Sequence, residues 1–170
     1  MAQPAMRVRR ISPSRKPMKK PEIIASIIDH LREEFESRNR ISKSTREGGN
    51  DAESKAASKY DTLAIEENYL ADGLAKQALA AGEAMAEIEK LPLRTFAGDD
   101  PIDLGALVQV ELAGAREYFF LSPSGGGTEV RHQGFSITVI TPGSPLGSQL
   151  MGARAGDKTS APAAKILRVE

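Results

Sequence analysis

The chain has 170 residues with 23 basic and 23 acidic groups, is 40% hydrophobic and only 5% aromatic, a composition that suits modest cores rather than one large one. It contains no cysteine and two well-separated histidines, which argues against a disulfide framework, a thiolate zinc site and a histidine-rich metal site. The zero net charge hides an asymmetry: residues 1–20 carry seven basic groups and no acid, leaving 16 basic against 23 acidic in the other 150.

That first segment, with Arg7, Arg9, Arg10, Arg15, Lys16, Lys19 and Lys20, reads as a basic arm on an acidic body. Pro4, Pro13, Pro17 and Pro21 spoil the amphipathic helix of a transit peptide, so residues 1–20 are expected to be a solvated, disordered arm able to touch nucleic acid or acidic protein. No apolar run is long enough for a secretory signal or a membrane span. The expected setting is cytoplasmic, with no membrane partner.

From Pro21 the apolar residues Ile24, Ile27, Ile28, Leu31 and Phe35 recur at steps of three and four, the stripe of an amphipathic helix. Beyond Phe35 the stripe weakens to Arg38, Ile41 and Thr45, so that end is expected to be polar and loosely packed. Gly48 and Gly49 are expected to break this helix, with Asn50 or Asp51 capping the next and Glu53 in its first turn. The bland reading of Asp51 and Glu53 is capping chemistry alone.

A second helix is expected from about Asp51 to Lys90, stopped by Pro92. Ala56, Tyr60, Leu63, Leu70, Leu74, Ala78, Ala81, Met85 and Ile88 keep a period near 3.5 with Glu67 as the polar interruption, which predicts an antiparallel two-helix coiled coil over residues 21–91. Residues 92–101 hold Pro92, Gly98, Asp99, Asp100 and Pro101 and read as a linker. Strand-like runs follow at 104–112, 116–121, 128–131, 135–141 and 165–170, with breaks at Ala113-Gly-Ala and Gly125-Gly-Gly. Residues 102–170 are therefore expected to form a small antiparallel sheet domain. Tyr118 and Phe120 share one strand face as core, and His30 and His132 read as surface histidines. The Gly125-Gly-Gly run lacks the Lys of a phosphate loop and reads as a hairpin turn.

Between the fourth and last strand runs, Ser144 can cap a short helix that has Pro145 at its first position, apolar Leu146, Leu150 and Met151 toward the sheet, and Gly152 at its end. The sequence Ser144-Pro145-Leu146-Gly147, then Leu150-Met151-Gly152 and Gly156-Asp157, resembles the C-terminal signature of the Gre transcript-cleavage factors (GreA/GreB-like), bacterial proteins that bind RNA polymerase. The resemblance covers about residues 21–170 and is that of a divergent branch. It implies an α+β fold: an N-terminal antiparallel two-helix coiled coil, a linker, and a small FKBP-like antiparallel β-sheet domain with one short helix that docks on the polymerase.

The same resemblance implies a transcription elongation factor whose coiled-coil tip enters the polymerase's secondary channel and stimulates cleavage of backtracked RNA, the nuclease being the polymerase itself. The family's tip pattern Gly-Asp-x-x-Glu-Asn-Ala compares with Asn50-Asp51-Ala52-Glu53-Ser54-Lys55-Ala56 here. Asp51 falls on the Asp, Ser54 on the Glu, and Glu53 stands one residue early, a rotation of about 100° on a helix. Asp51 is then the implied ligand to a Mg²⁺ shared with the polymerase, and Glu53 a second ligand or water-positioning group. Arg38, Arg40, Lys43, Arg46, Lys55 and Lys59 are the implied contacts to the nascent RNA 3′ end. Ser144, Pro145, Leu146, Gly147, Leu150 and Gly152 are the implied polymerase-binding segment. The family also implies DNA-associated regulation of transcription and a free monomer. The alternatives are a non-cleaving channel regulator of the same shape that competes with cleavage factors, and an interaction protein that oligomerises through its coil.

Overall fold

The computed structural model describes residues 19–53 and 61–170, with side chains left aside for residues 48–53 and 61–64. The arm residues 1–18 and the tip residues Lys55 and Lys59 lie outside that range. Helix α1 spans Lys20–Glu53 and helix α2 spans Asp61–Glu89. The expected break at Gly48-Gly49 does not occur, so Asn50 and Asp51 stand in the last turns of α1 rather than at the start of α2. A helical glycine costs only about 1 kcal/mol relative to alanine, too little to stop a helix of 34 residues that lies along a partner. Gly82 inside α2 lies under the Phe35 ring, where an added Cβ would make ordinary contact at 3.7 Å.

The seam between the helices differs from the periodic reading in its details. Ile23, Ile27 and Leu31 are the buried apolar residues of α1 among those described, with Ile24 and Ile28 packed beside them. On α2 the buried positions are Ala71, Ala78, Ala81, Ala84 and Ile88, while Leu70 is 58% exposed. Close approach explains the choice. Ser42, itself buried, donates its hydroxyl to the Ala71 carbonyl at 2.8 Å, a side-chain-to-backbone bond that leaves no room for a leucine. The bulky residues Ile65, Tyr69 and Leu79 face outward with Leu70.

Strands β1 (Leu107–Leu112), β2 (Ala115–Leu121), β3 (Glu129–His132), β4 (Phe135–Ile140), β5 (Lys158–Ser160) and β6 (Ala163–Val169), with helix α3 (Pro145–Leu150) before β5, build one sheet in the order β3-β4-β2-β1-β6-β5. The sheet is mixed rather than wholly antiparallel, because β2 and β4 run parallel with Phe120 opposite Val139. The glycine run at 125–127 is accordingly not a hairpin. It carries the chain from β2 past β4 to the edge strand β3, and a Cβ on Gly125 would lie 3.4 Å from Ile88 and 3.6 Å from Leu31. The tight turns are Ala113-Gly114, at the expected break, and Gln133-Gly134, whose positive φ values of 50° and 82°, then 50° and 86°, match the two-residue turn of a twisted hairpin.

Alternation along the strands gives the sheet two buried faces. Val108, Val110, Leu121, Ile166 and Val169 point to the face closed by Leu146 and Leu150 of α3 and by Phe96. Leu107, Phe120, Val130, Ile137 and Val139 point to the other, where Ile23, Ile27, Leu31, Ala84 and Ile88 cover them. The base of the helical hairpin is thus half of a sheet core, and residues 92–101 connect units that share it. Within the connection Phe96 is buried, with the Lys20 ammonium 4.6 Å and the Arg94 guanidinium 4.9 Å from its ring centroid. Lys20 also donates to the Arg94 and Gly105 carbonyls. Burial pulls the Lys20 ammonium below its ordinary 10.5, against the opposing pull of Glu170. Among the described residues, no helix is long and apolar enough to cross a membrane.

Candidate functional site

The far end of the hairpin is positioned by its base. With Ile23–Leu31 fixed on the sheet, the rest of α1 runs on toward Glu53; its 34 residues amount to about 50 Å at 1.5 Å each. Asp51 and Glu53 lie in its last turn. Two residues of α-helix are about 200° of rotation, so their backbone positions leave the helix in nearly opposite directions. The pair expected on the first turn of the second helix stands instead at the C-terminal end of the first, where the helix dipole disfavours negative charge.

The cations expected to meet RNA divide into two groups. Arg38 is half-buried and donates twice to the Glu34 carboxylate, at 3.1 and 3.2 Å. Arg46 crosses to α2 and donates to Asp72 at 2.5 Å. Arg40 and Lys43 are exposed, and no described acid lies within ion-pair distance of either. Arg40, Lys43 and Arg46 follow one another at steps of three, so they form one ridge on the helix surface. Asp72 and Ser42, which fix this stretch of α1 against α2, were not singled out by periodicity. Asp72 stands out in sequence only as an acid among the apolar residues of α2, and Ser42 lies in a polar stretch that hides it. Near the same level a Glu67 carboxylate oxygen is buried without a hydrogen-bond partner, so the polar character expected for this half of the seam is present.

The Ser-Pro-Leu-Gly segment has a structural explanation for every residue. Ser144 Oγ accepts from the Gly147 amide at 3.0 Å and donates to the Thr141 carbonyl at 2.8 Å, while Pro145 opens the helix. Leu146 and Leu150 enter the core. Gly147 is required because a Cβ there would stand 2.0 Å from the Thr141 carbonyl oxygen. Gly152 takes φ 77° to leave the helix. Leu146, Gly147 and Leu150 are buried, so of the six residues only Ser144, Pro145 and Gly152 offer surface to a partner. Gln149, unremarked in the sequence, ties α3 to the β5–β6 turn by accepting from the Ser160 amide at 2.7 Å and its hydroxyl at 3.0 Å.

His132 departs from its surface reading. Its side chain is 10% exposed, with Nε2 3.6 Å from a Glu22 carboxylate oxygen, because the first turns of α1 lie over β3. Tyr118 donates no base-stacking surface: its ring packs 5.0 Å from that of Phe135 and its hydroxyl accepts from Gln109 at 2.7 Å. Among the described residues no three acidic, histidine or cysteine side chains come together as a metal site.

No family model matches the chain, and no curated protein matches it. Among solved structures it is similar to the GreA factor homolog 1 (Gfh1) of Thermus thermophilus, at 17% identity over 88% of this chain and 93% of that one, with a TM-score of 0.32. A second structure of the transcription factor Gfh1 is 17% identical over 85% and 94% of the two chains, with a TM-score of 0.33. Gfh1 of Thermus aquaticus is also 17% identical, over 89% and 94%, with a TM-score of 0.33.

Proposed function

We propose that the chain is a Gre-type bacterial transcription elongation factor that binds RNA polymerase through the sheet domain and inserts its helical hairpin into the secondary channel. The observation that carries this reading is the division of labour in the fold. A signature segment is built into the sheet's far face, and a hairpin rooted in the opposite face carries a carboxylate, Asp51, to its far end. In this reading the exposed parts of the α3 segment, Ser144, Pro145 and Gly152, contact the polymerase, and the buried ones hold the segment's shape.

A Mg²⁺ ion demands about six oxygen ligands in octahedral geometry, far more than one or two tip carboxylates supply. Asp51 would then add one ligand to an ion held mainly by the polymerase, and such an ion would supply the activation of water for phosphodiester hydrolysis. Arg40 and Lys43, unpaired among the described acids, and Arg46 on the same ridge hold the phosphates of the RNA 3′ end by charge. Lys55 and Lys59, the other two cations assigned to that set, lie outside the described residues.

A second reading, occupancy of the channel without cleavage, is favoured by the helix that runs unbroken past Asp51 to Glu53. On that helix positions 51 and 53 are about 200° apart around the axis, an arrangement that suits occupancy better than a shared ion. The test is RNA shortening in a stalled polymerase complex. Cleavage by the wild-type chain that Asp51→Asn abolishes supports the first reading. Binding without cleavage, together with competition against a cleavage factor, supports the second, and failure to bind polymerase overturns both.

A further inference from the structure

On the side of the hairpin away from the tip ridge, α1, α2 and the loop at Gly125–Gly127 enclose a groove of about 620 Å³. Its floor is the small-residue surface of Ala80, Ala81 and Ala84, and its charged rim is Glu34, Glu83 and Glu87, with His30 and Arg38 as the facing bases. Arg38 is already committed to Glu34, and His30 Nε2 stands 4.0 Å from the same carboxylate. Glu83 and Glu87 are exposed, one turn apart, and no described cation lies within ion-pair distance of either. Like charges at this spacing repel. The rim thus holds two uncompensated carboxylates over a floor smooth enough to accept a chain, and the buried hydroxyl of Ser124 in its wall has no hydrogen-bond partner.

The same polypeptide carries the complement. Residues 1–18 contain Arg7, Arg9, Arg10, Arg15 and Lys16 and no acid, and they join the fold at Lys19, at the base of α1. The groove begins beside His30 and extends to Arg38, about 16–28 Å along the helix from Lys19 at 1.5 Å per residue. Arg10, Arg9 and Arg7 stand nine to twelve residues before Lys19, a reach of about 30–40 Å at 3.3 Å per extended residue. Lys16 reaches only about 10 Å by the same measure, so the three arginines, not the lysine, span the distance.

We propose that this groove is the docking site of the chain's own basic arm, with Arg7, Arg9 and Arg10 set against Glu83 and Glu87. The arm then covers the acidic side of the hairpin and compensates the charge left open there. A second acidic recess, formed by Asp29, Glu33 and Glu129, is the weaker candidate because Asp29 is paired with Arg32 at 2.6 Å and Arg131 lines it as well.

The absence of cysteine allows a single spin label on the full chain through Ala5→Cys, read by the amide signals of ¹⁵N-labelled protein. The expected result at low salt is loss of the Ala80, Ala84, Gly126 and Gly127 signals. Those signals should return in the Glu83→Gln/Glu87→Gln double variant, and also near 1 M salt, where the screening length falls to about 3 Å. Undisturbed signals at these four residues would overturn the proposal. So would broadening that survives the double variant, or broadening centred on Asp29, Glu33 and Glu129. Broadening that passes from a spin-labelled chain to a separate ¹⁵N chain in a mixture would assign the groove to a second copy and overturn the intramolecular contact.

Discussion

Replacing Ile27 by alanine removes a side chain that is 0% exposed and lies in the core shared by the hairpin base and the sheet; Ile137 is its 0% exposed counterpart on β4. An Ile→Ala change at a site of this kind costs about 2–5 kcal/mol, transfer and cavity together. For a chain of this size each kcal/mol lowers Tm by about 2–4 °C, so either variant should lose ~4–20 °C. The sharper expectation concerns the number of transitions. If the base of the hairpin and the sheet are one cooperative unit, differential scanning calorimetry shows a single peak whose calorimetric and van't Hoff enthalpies agree. Ile27→Ala and Ile137→Ala then move that same peak. Two peaks, with Ile27→Ala shifting only one and Ile137→Ala only the other, would refute the shared core as the basis of stability and return the chain to two units tied by a linker.

Gly147→Ala should destabilise by about 3 kcal/mol or more because its Cβ would meet backbone at 2.0 Å, whereas Gly143→Ala, with nothing within 4 Å, should stay within about 0.5 kcal/mol by urea titration. Stability should depend on alkaline pH with two opposed signs. Burial lowers the folded pKa of Lys20 from 10.5, so the unfolded state binds more protons just below that value and stability rises with pH there. Burial raises that of Tyr118 from 10.0, so the folded state keeps its proton longer and stability falls as pH climbs above 10.0. Lys20→Met should remove the rise and Tyr118→Phe the fall, as followed by denaturant midpoints across that range. Asp51→Asn, which takes a negative charge from the C-terminal turn of α1, should leave the helix unchanged or stabilise it by ~0.3–1 kcal/mol by thermal circular dichroism; a loss of about 1 kcal/mol would mean that Asp51 acts as an N-cap after all.

Much of the architecture was legible because it rests on periodicity. Steps of three and four from Ile24 to Phe35 announced a helix with one buried face, and alternation at 104–112 and 135–141 announced strands. What stayed hidden was set by approach in three dimensions. Leu70 fits a heptad better than Ala71 does, yet the bond from Ser42 to the Ala71 carbonyl brings the helices too close for leucine. The parallel pairing of β2 with β4 leaves no local mark, since the intervening β3 turns back through Gln133-Gly134 to pair with β4 first. His132 looked solvated because the residues that cover it belong to α1, more than a hundred positions earlier. In the Ser144–Gly152 segment the short helix was readable from its cap and proline. That Gly147 answers to the Thr141 carbonyl, and so to folding, needed the distance. At the tip the residue types were readable, but the end of α1 was not, because the local preference of Gly48-Gly49 to break a helix is outweighed by helix continuation along a partner.

That penalty, carried inside the helix, gives the double glycine a role of its own. Two helical glycines cost about 2 kcal/mol relative to two alanines, and each 1.4 kcal/mol is a factor of ten. The terminal turns of α1 are therefore about 30 times more prone to unwind than an alanine pair would make them, while the stretch below Arg46 is held to α2 by Ser42 and Asp72. Gly48-Gly49 acts as a slip clutch: wound, it holds positions 51 and 53 about 200° apart around the axis, and it lowers the free energy of releasing that turn by about 2 kcal/mol, the size of the net return from one charged hydrogen bond.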